Sequence, residues 1–221
     1  MSQRWTVCYL WQYNTGALTI RKDREKSMRK ICVYAGSNPG VRPEYREAAR
    51  TLGQELVARG LGLVYGGGRV GLMGTLAEAV TEAGGEVIGV LPLALFPREL
   101  PYTNGTQLYE VKSMHERKAL MADLADGFIA LPGGYGTYDE LFEIMTWAQL
   151  GIHFKPVGLL NVASFFDPLL SLIEHSSAEG FISPRHATLI IQKQTPAELL
   201  DSFEAYVPAP AGGKWTELPE R

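Results

Sequence analysis

Leu131-Pro132-Gly133-Gly134-Tyr135-Gly136-Thr137-Tyr138-Asp139-Glu140 sets the architecture of this chain. Ahead of it runs Gly127-Phe128-Ile129-Ala130-Leu131, short and almost wholly apolar, as in a buried strand. Behind it, Leu141-Phe142-Glu143-Ile144-Met145-Thr146-Trp147-Ala148 carries the apolar spacing of a helix. A glycine-rich turn from strand to helix leaves backbone N–H groups at the positive end of the helix dipole. An anionic oxygen, most often a phosphate, binds there without a basic side chain. The backbone of Gly133, Gly134, Tyr135, Gly136 and Thr137 is the expected cradle. The same turn delivers Glu140, and a carboxylate adds nothing to anion binding, so its presence points to chemistry.

Outward from this turn, strand and helix alternate. Strand-like runs fall at 31–35, 61–65, 87–91, 127–131 and 157–160, with helical patterns at 43–59, 72–83, 114–125, 138–150, 166–178 and 196–206. The runs are apolar throughout rather than alternating, as expected when helices cover both faces of a sheet. The expected fold is α/β: a single doubly wound, Rossmann-like parallel sheet with ligands beyond the carboxyl ends of its strands. Residues 28–207 form this domain. Residues 1–27 lack periodicity and read as a poorly ordered extension, and the Pro- and Gly-bearing segment 208–221 reads as a flexible tail.

Composition narrows the function. Of 221 residues, 21 are Lys or Arg and 24 are Asp or Glu, a net charge of −3 with no basic excess to favour nucleic acid. No apolar run is long enough to span a bilayer, and residues 7–11 are too short for a signal peptide. The two cysteines, Cys8 and Cys32, have no metal spacing, so neither a metal nor a disulfide is expected and a reducing cytoplasm fits.

Two further turns belong to the same sheet edge: Ala35-Gly36-Ser37-Asn38-Pro39 and Gly66-Gly67-Gly68-Arg69-Val70-Gly71-Leu72-Met73-Gly74. Three such turns together suggest one pocket for a phosphorylated ligand, with Ser37, Gly67 and Gly68 among its walls. Gly66, Gly68 and Gly71 match the dinucleotide spacing, but no acidic residue ends the next strand to hold a ribose. A mononucleotide site is preferred, against the alternative that these glycines only allow close helix–strand packing.

The helix at 114–125 opens with Ser113 and Glu116 in capping-box spacing. Along it, Met114, Arg117, Met121 and Leu124 share a face, so Arg117 points with the core. A buried guanidinium needs a carboxylate or phosphate, and Glu140 is the evident partner. On spacing alone, a structural bridge and a catalytic pair stand even. His115 and Lys118 lie elsewhere on the helix as solvated or rim residues, and Glu99 sits in a loop after the third strand.

Pro132-Gly133-Gly134-Tyr135-Gly136-Thr137-x-x-Glu140, taken with Met114-His115-x-Arg117-Lys118, resembles the LONELY GUY family of cytokinin riboside 5′-monophosphate phosphoribohydrolases, often labelled lysine decarboxylases. The likeness runs over about residues 30–183 and includes Pro97-Arg98-Glu99-Leu100 and Thr146-Trp147-Ala148-Gln149-Leu150-Gly151. It implies hydrolysis of an N⁶-modified adenosine monophosphate to free base and ribose 5-phosphate, without a cofactor. Carried over by position, Arg117 and Glu140 are the catalytic pair. Substrate contacts are expected from Glu99, Met114, Lys118, Thr146 and residues 133–140, including Asp139, which stands where some members carry glutamate. The resemblance also implies a homodimer. Two other readings stay open: a broader purine nucleotide nucleosidase splitting AMP itself, and a nucleotide carrier that cleaves nothing. Pyridoxal chemistry is not expected, since no lysine sits in a Schiff-base setting.

Overall fold

The computed structural model describes residues 28–93 and 102–208. Seven parallel strands make one sheet: β1 (Lys30–Tyr34), β2 (Gly62–Tyr65), β3 (Val87–Pro92), β4 (Thr106–Val111), β5 (Gly127–Ala130), β6 (Val157–Leu160) and β7 (Ile190–Lys193). Their spatial order is β4-β3-β2-β1-β5-β6-β7. The helices are α1 (Pro43–Ala58), α2 (Gly71–Glu82), α3 (Met114–Leu124), α4 (Tyr135–Gln149), α5 (Asp167–Ala178), the short α6 (Pro184–Ala187) and α7 (Pro196–Glu204). The α/β reading of the sequence is the fold observed.

Strand pleating divides the apolar residues between two cores. Ile31, Val33, Leu63, Tyr65, Ile129 and Leu131 face one layer, filled by Leu52 and Leu56 of α1, Leu72 and Leu76 of α2 and Phe203 of α7. Their strand neighbours Cys32, Tyr34, Val64, Phe128 and Ala130 face the other, filled by Met121 of α3 and by Leu141 and Ile144 of α4. Residues buried on both sides of a strand explain why the central strands read as continuous apolar runs. Cys32 is a free, fully buried core thiol.

Two strands go beyond the sequence reading. β4 and β7 lie at the two edges, where one side of the strand meets solvent, so Gln107, Glu110, Gln192 and Lys193 interrupt the apolar pattern. Helix α4 begins at Tyr135 rather than at 138, because Gly134 takes the N-cap position and Gly136 lies in its first turn. No helix of the described residues is long and apolar enough to cross a membrane. The expected N-terminal extension and nearly all of the expected tail fall outside the described residues.

The order of the strands places the site. Successive strands step outward from β1 to β4, then the chain crosses back through α3 to start β5 on the other side of β1. The loops leaving β1 and β5 diverge at this switch point and open a crevice beyond the carboxyl ends.

Candidate active site

The crevice is a cavity of about 410 Å³, within the range that small ligands occupy. Its lining includes Gly36, Ser37 and Asn38 after β1, Leu72 and Met73 of α2, Arg117 of α3, and Gly133, Gly134, Tyr135, Gly136, Thr137 and Glu140 around the start of α4. Tyr45 and Phe165 complete one wall.

The start of α4 is open. Its N-cap, Gly134, offers no side-chain hydrogen bond. The first amide of this turn bonded within the protein is that of Tyr138, which donates to the carbonyl of Gly134. The amides of Tyr135, Gly136 and Thr137 are thus the orphan donors that every helix start leaves, here facing a cavity. A Cβ added at Gly134 or Gly136 would meet nothing within 4 Å. Gly133 differs: a Cβ there would overlap the hydroxyl of Thr137, so glycine is what lets that buried side chain fold under the turn.

Arg117 and Glu140 meet beside these amides, both buried, with Nη2 of Arg117 3.6 Å from Oε1 of Glu140. The guanidinium is fixed from behind. Its Nε donates to the carbonyl of Val90 at 3.1 Å and its Nη2 to that of Gly66 at 3.3 Å. Two main-chain carbonyls and one carboxylate satisfy a charge that would be costly to bury alone. Ser113 caps α3 by accepting from the amide of Glu116 at 3.1 Å, and Glu116 accepts in return from the amide of Lys112 at 2.8 Å. The cap sets where the helix starts and hence where Arg117 points.

The turn after β2 packs instead of lining the cavity. Gly67 and Gly68 are buried away from it, Gly67 with φ +80° and against Leu91 and Leu108. A Cβ on Gly66 would overlap the Arg117 guanidinium, and one on Gly74 would overlap the carbonyl of Arg69. Two amides in the first turn of α2, those of Leu72 and Met73, donate to the carbonyl of Gly36. The helix start that the spacing offered to a phosphate is therefore occupied by the protein's own backbone.

Four more residues singled out in the sequence lie outside the cavity, on the outer side of α3 and α4. Nζ of Lys118 sits 3.0 Å from Asp139 and 3.1 Å from Glu143. Burial works against its charge, but these two carboxylates outweigh that and hold its pKa above the ordinary value. Met114 is partly exposed, its Sδ 3.8 Å from Nη1 of Arg117. The Thr146 hydroxyl donates to the carbonyl of Phe142, inside its own helix. Glu99 lies outside the described residues. Sequence reasoning missed Tyr45 and Phe165 as cavity walls, and quoted Asn38 and Met73 within their turns without singling them out. Gly66 was quoted in its turn but not recognised as the residue that makes room for Arg117.

The chain matches the family described as "Possible lysine decarboxylase" over residues 73–203. It is 54% identical over 186 residues to the cytokinin riboside 5′-monophosphate phosphoribohydrolase LOG of Oryza sativa subsp. japonica, covering 84% of this chain and 77% of that protein. It is 50% identical over 185 residues to the corresponding LOG3 protein of Arabidopsis thaliana, covering 84% and 86% of the two chains. Among solved structures, the molybdenum cofactor binding protein of Rippkaea orientalis superposes with a TM-score of 0.61 at 21% identity, covering 81% of this chain and 98% of that one. That likeness is one of fold alone. The matched region holds both Arg117 and the Glu140 turn, and identity to the two plant proteins reaches half or more over most of each chain, so this chain belongs to the LONELY GUY family.

Proposed function

We propose that the protein hydrolyses the N-glycosidic bond of cytokinin riboside 5′-monophosphates, giving the free N⁶-modified adenine and ribose 5-phosphate. The observation that carries this reading is the buried Arg117–Glu140 pair beside the open amides of α4. The names of the plant relatives support the substrate class.

In this reading the amides of Tyr135, Gly136 and Thr137 hold the 5′-phosphate, and Ser37 closes over it from the β1 loop. Glu140 lies one helical turn further along α4, where the ribose of a phosphate-anchored nucleotide sits. Breaking a ribosyl C–N bond builds positive charge on the sugar, and a fixed carboxylate stabilises that charge or activates the attacking water. Arg117, locked by the Val90 and Gly66 carbonyls, holds the carboxylate in place and adds positive charge beside the sugar phosphate. Among the described residues no lysine lines the cavity, so the lining offers none for the Schiff base of a pyridoxal decarboxylase.

The protein acts as a homodimer in this reading. Large apolar side chains are exposed on both helices of the site, Tyr135 and Phe142 on α4 and Met114 on α3. A second copy covering this face would bring Met114, Lys118, Asp139 and Thr146 next to an active site.

The test is base release from isopentenyladenosine 5′-monophosphate and from AMP, followed by chromatography with mass detection. Glu140→Gln is expected to lower kcat roughly a hundredfold or more while KM changes little. Near-normal turnover in that variant removes Glu140 from the chemistry. Tight binding without release in the wild type would make the protein a carrier, and equal rates on both nucleotides a general purine nucleotide nucleosidase.

A further inference from the structure

Two aromatic side chains of the cavity wall take no part in the chemistry above. Tyr45 comes from the first turn of α1, and Phe165 from the segment between β6 and α5. Their rings meet edge to face, 5.8 Å apart at 78°. Phe165 in turn meets the buried Phe166 edge to face at 5.0 Å. Strand β6 lies next to β5, so the segment leaving it runs alongside the Pro132–Gly134 turn. The cavity wall is therefore polar where the α4 amides, Glu140 and Arg117 line it, and aromatic where Tyr45 and Phe165 do.

Phe165 is held at this wall against local preference. Ala163 has φ +49° and Ser164 φ +61°, two successive residues with side chains in the left-handed region. Cβ crowding makes that conformation unfavourable for each, and a pair in sequence persists only where the surroundings impose it. Asn161 imposes it. It is almost fully buried, its Oδ1 accepts from the amide of Phe166 at 2.7 Å, and its Nδ2 donates to Oδ1 of Asp167 at 2.7 Å. Its own amide donates to the carbonyl of Lys193 at 2.8 Å, tying the turn to β7. Tyr45 is placed with comparable care: Gly40, with φ +73°, folds over its ring so closely that a Cβ would lie 2.7 Å from it.

We propose that Tyr45 and Phe165 form the platform against which the purine base of the substrate packs, and that Asn161 is the positioning residue that holds Phe165 there. The inference rests on the nucleotide reading of the cavity. A nucleotide has an anionic end and a flat aromatic end, and the polar and aromatic parts of this wall match them in kind. A ring face or edge contributes to base binding whatever the purine carries at N⁶, so the platform serves AMP and its modified forms alike.

The experiment measures KM and kcat for AMP and isopentenyladenosine 5′-monophosphate, together with inhibition by ribose 5-phosphate, which has the phosphate and sugar but no base. Phe165→Ala and Tyr45→Ala are each expected to raise KM for both nucleotides roughly tenfold. In the same variants kcat stays within about threefold of wild type, as for loss of uniform binding. The inhibition constant of ribose 5-phosphate stays unchanged. Asn161→Ala gives the same signature through Phe165, while Ser164→Gly raises Tm and leaves KM alone because it relieves the turn without moving the ring. Should Phe165→Ala not fold, Phe165→Leu keeps most of the volume, lacks the ring and is read the same way. An unmoved KM in the Phe165 and Tyr45 variants overturns the platform, as does a ribose 5-phosphate constant that weakens in step with KM. If the wild type releases no base, the hydrolase reading falls by itself, and AMP affinity measured at equilibrium across the same variants decides the platform.

Discussion

The turn after β2 and the turn after β5 are built from the same material, glycines between a buried strand and an apolar helix, and they end as opposites. In the first, the amides that open α2 are taken by the carbonyl of Gly36, and the glycines press against Arg117, Leu91 and the Arg69 carbonyl. In the second, the amides that open α4 face the cavity, and Gly134 and Gly136 press against nothing. One turn is glycine-rich so that protein can approach protein. The other is glycine-rich, in the proposed function, so that a ligand can approach backbone. The closed turn still serves the site, because the Gly66 carbonyl and the space beside it anchor Arg117.

The sharpest way to break this comparison is Gly66→Ala. The new Cβ would occupy the position of the Arg117 guanidinium, which must leave the Val90 and Gly66 carbonyls and, with them, Glu140. Misplacing a catalytic group by about an ångström costs on the order of a hundredfold in rate, and kcat/KM is expected to fall by about that much. Inhibition by ribose 5-phosphate should persist, since the α4 amides are untouched. A variant with wild-type turnover would show that the position of Arg117 does not matter to the reaction.

How far the sequence reveals this difference can be judged residue by residue. Arg117 was legible as a buried cation because Met114, Met121 and Leu124 fall on its face of the helix. Glu140 was legible because a carboxylate is out of place in an anion turn. The central strands were legible because burial on both faces makes them apolar throughout. The edge strands β4 and β7 were not, because half of each meets solvent and its polar residues look like loop. The fate of the two glycine turns was not legible either. Glycine marks a close approach without saying what approaches, and only the position of the Gly36 carbonyl, set by how β1 and α2 pack, tells the closed turn from the open one. Phe165 escaped notice because the two left-handed positions before it are alanine and serine, with no glycine to announce the turn.

Paired alanine substitutions sharpen the contrast at lower cost. Gly74 of α2 and Gly136 of α4 are both helical, so on propensity alone alanine would stabilise either by about 1 kcal/mol. At Gly74 the overlap with the Arg69 carbonyl reverses the sign, and a loss of about 1–3 kcal/mol is expected from denaturant unfolding. At Gly136 the methyl group meets open space, so stability should rise by about 0.5–1 kcal/mol while KM for the nucleotide increases as the cavity narrows. Two changes of the same sign in stability would mean that the turns do not differ in the way described.

The smallest effect concerns how an open helix start is braced at all. With its first amides left for a ligand, α4 is held further along, by the Lys118 pairs and by His153. The amide of Lys155 can only donate, so Nδ1 of His153 accepts from it at 3.1 Å. The proton of the neutral ring then sits on Nε2, which donates to the carbonyl of Ile144 at 2.9 Å, one turn beyond Glu140. Burial and the neighbouring Lys155 hold the His153 pKa below its ordinary value, and the Ile144 carbonyl offsets this only in part. The unfolded chain therefore takes up its proton first as the pH falls, so acid favours unfolding from the ordinary histidine value of about 6.5 down to the lower pKa of the folded state. The slope ends there, because both states are then protonated. Denaturant midpoints at about pH 7.5 and about pH 5.5 should differ more for the wild type than for His153→Gln, whose amide does not titrate in this range. Equal differences would remove His153 from the acid sensitivity of α4 and leave the Lys118 pairs as the brace that matters.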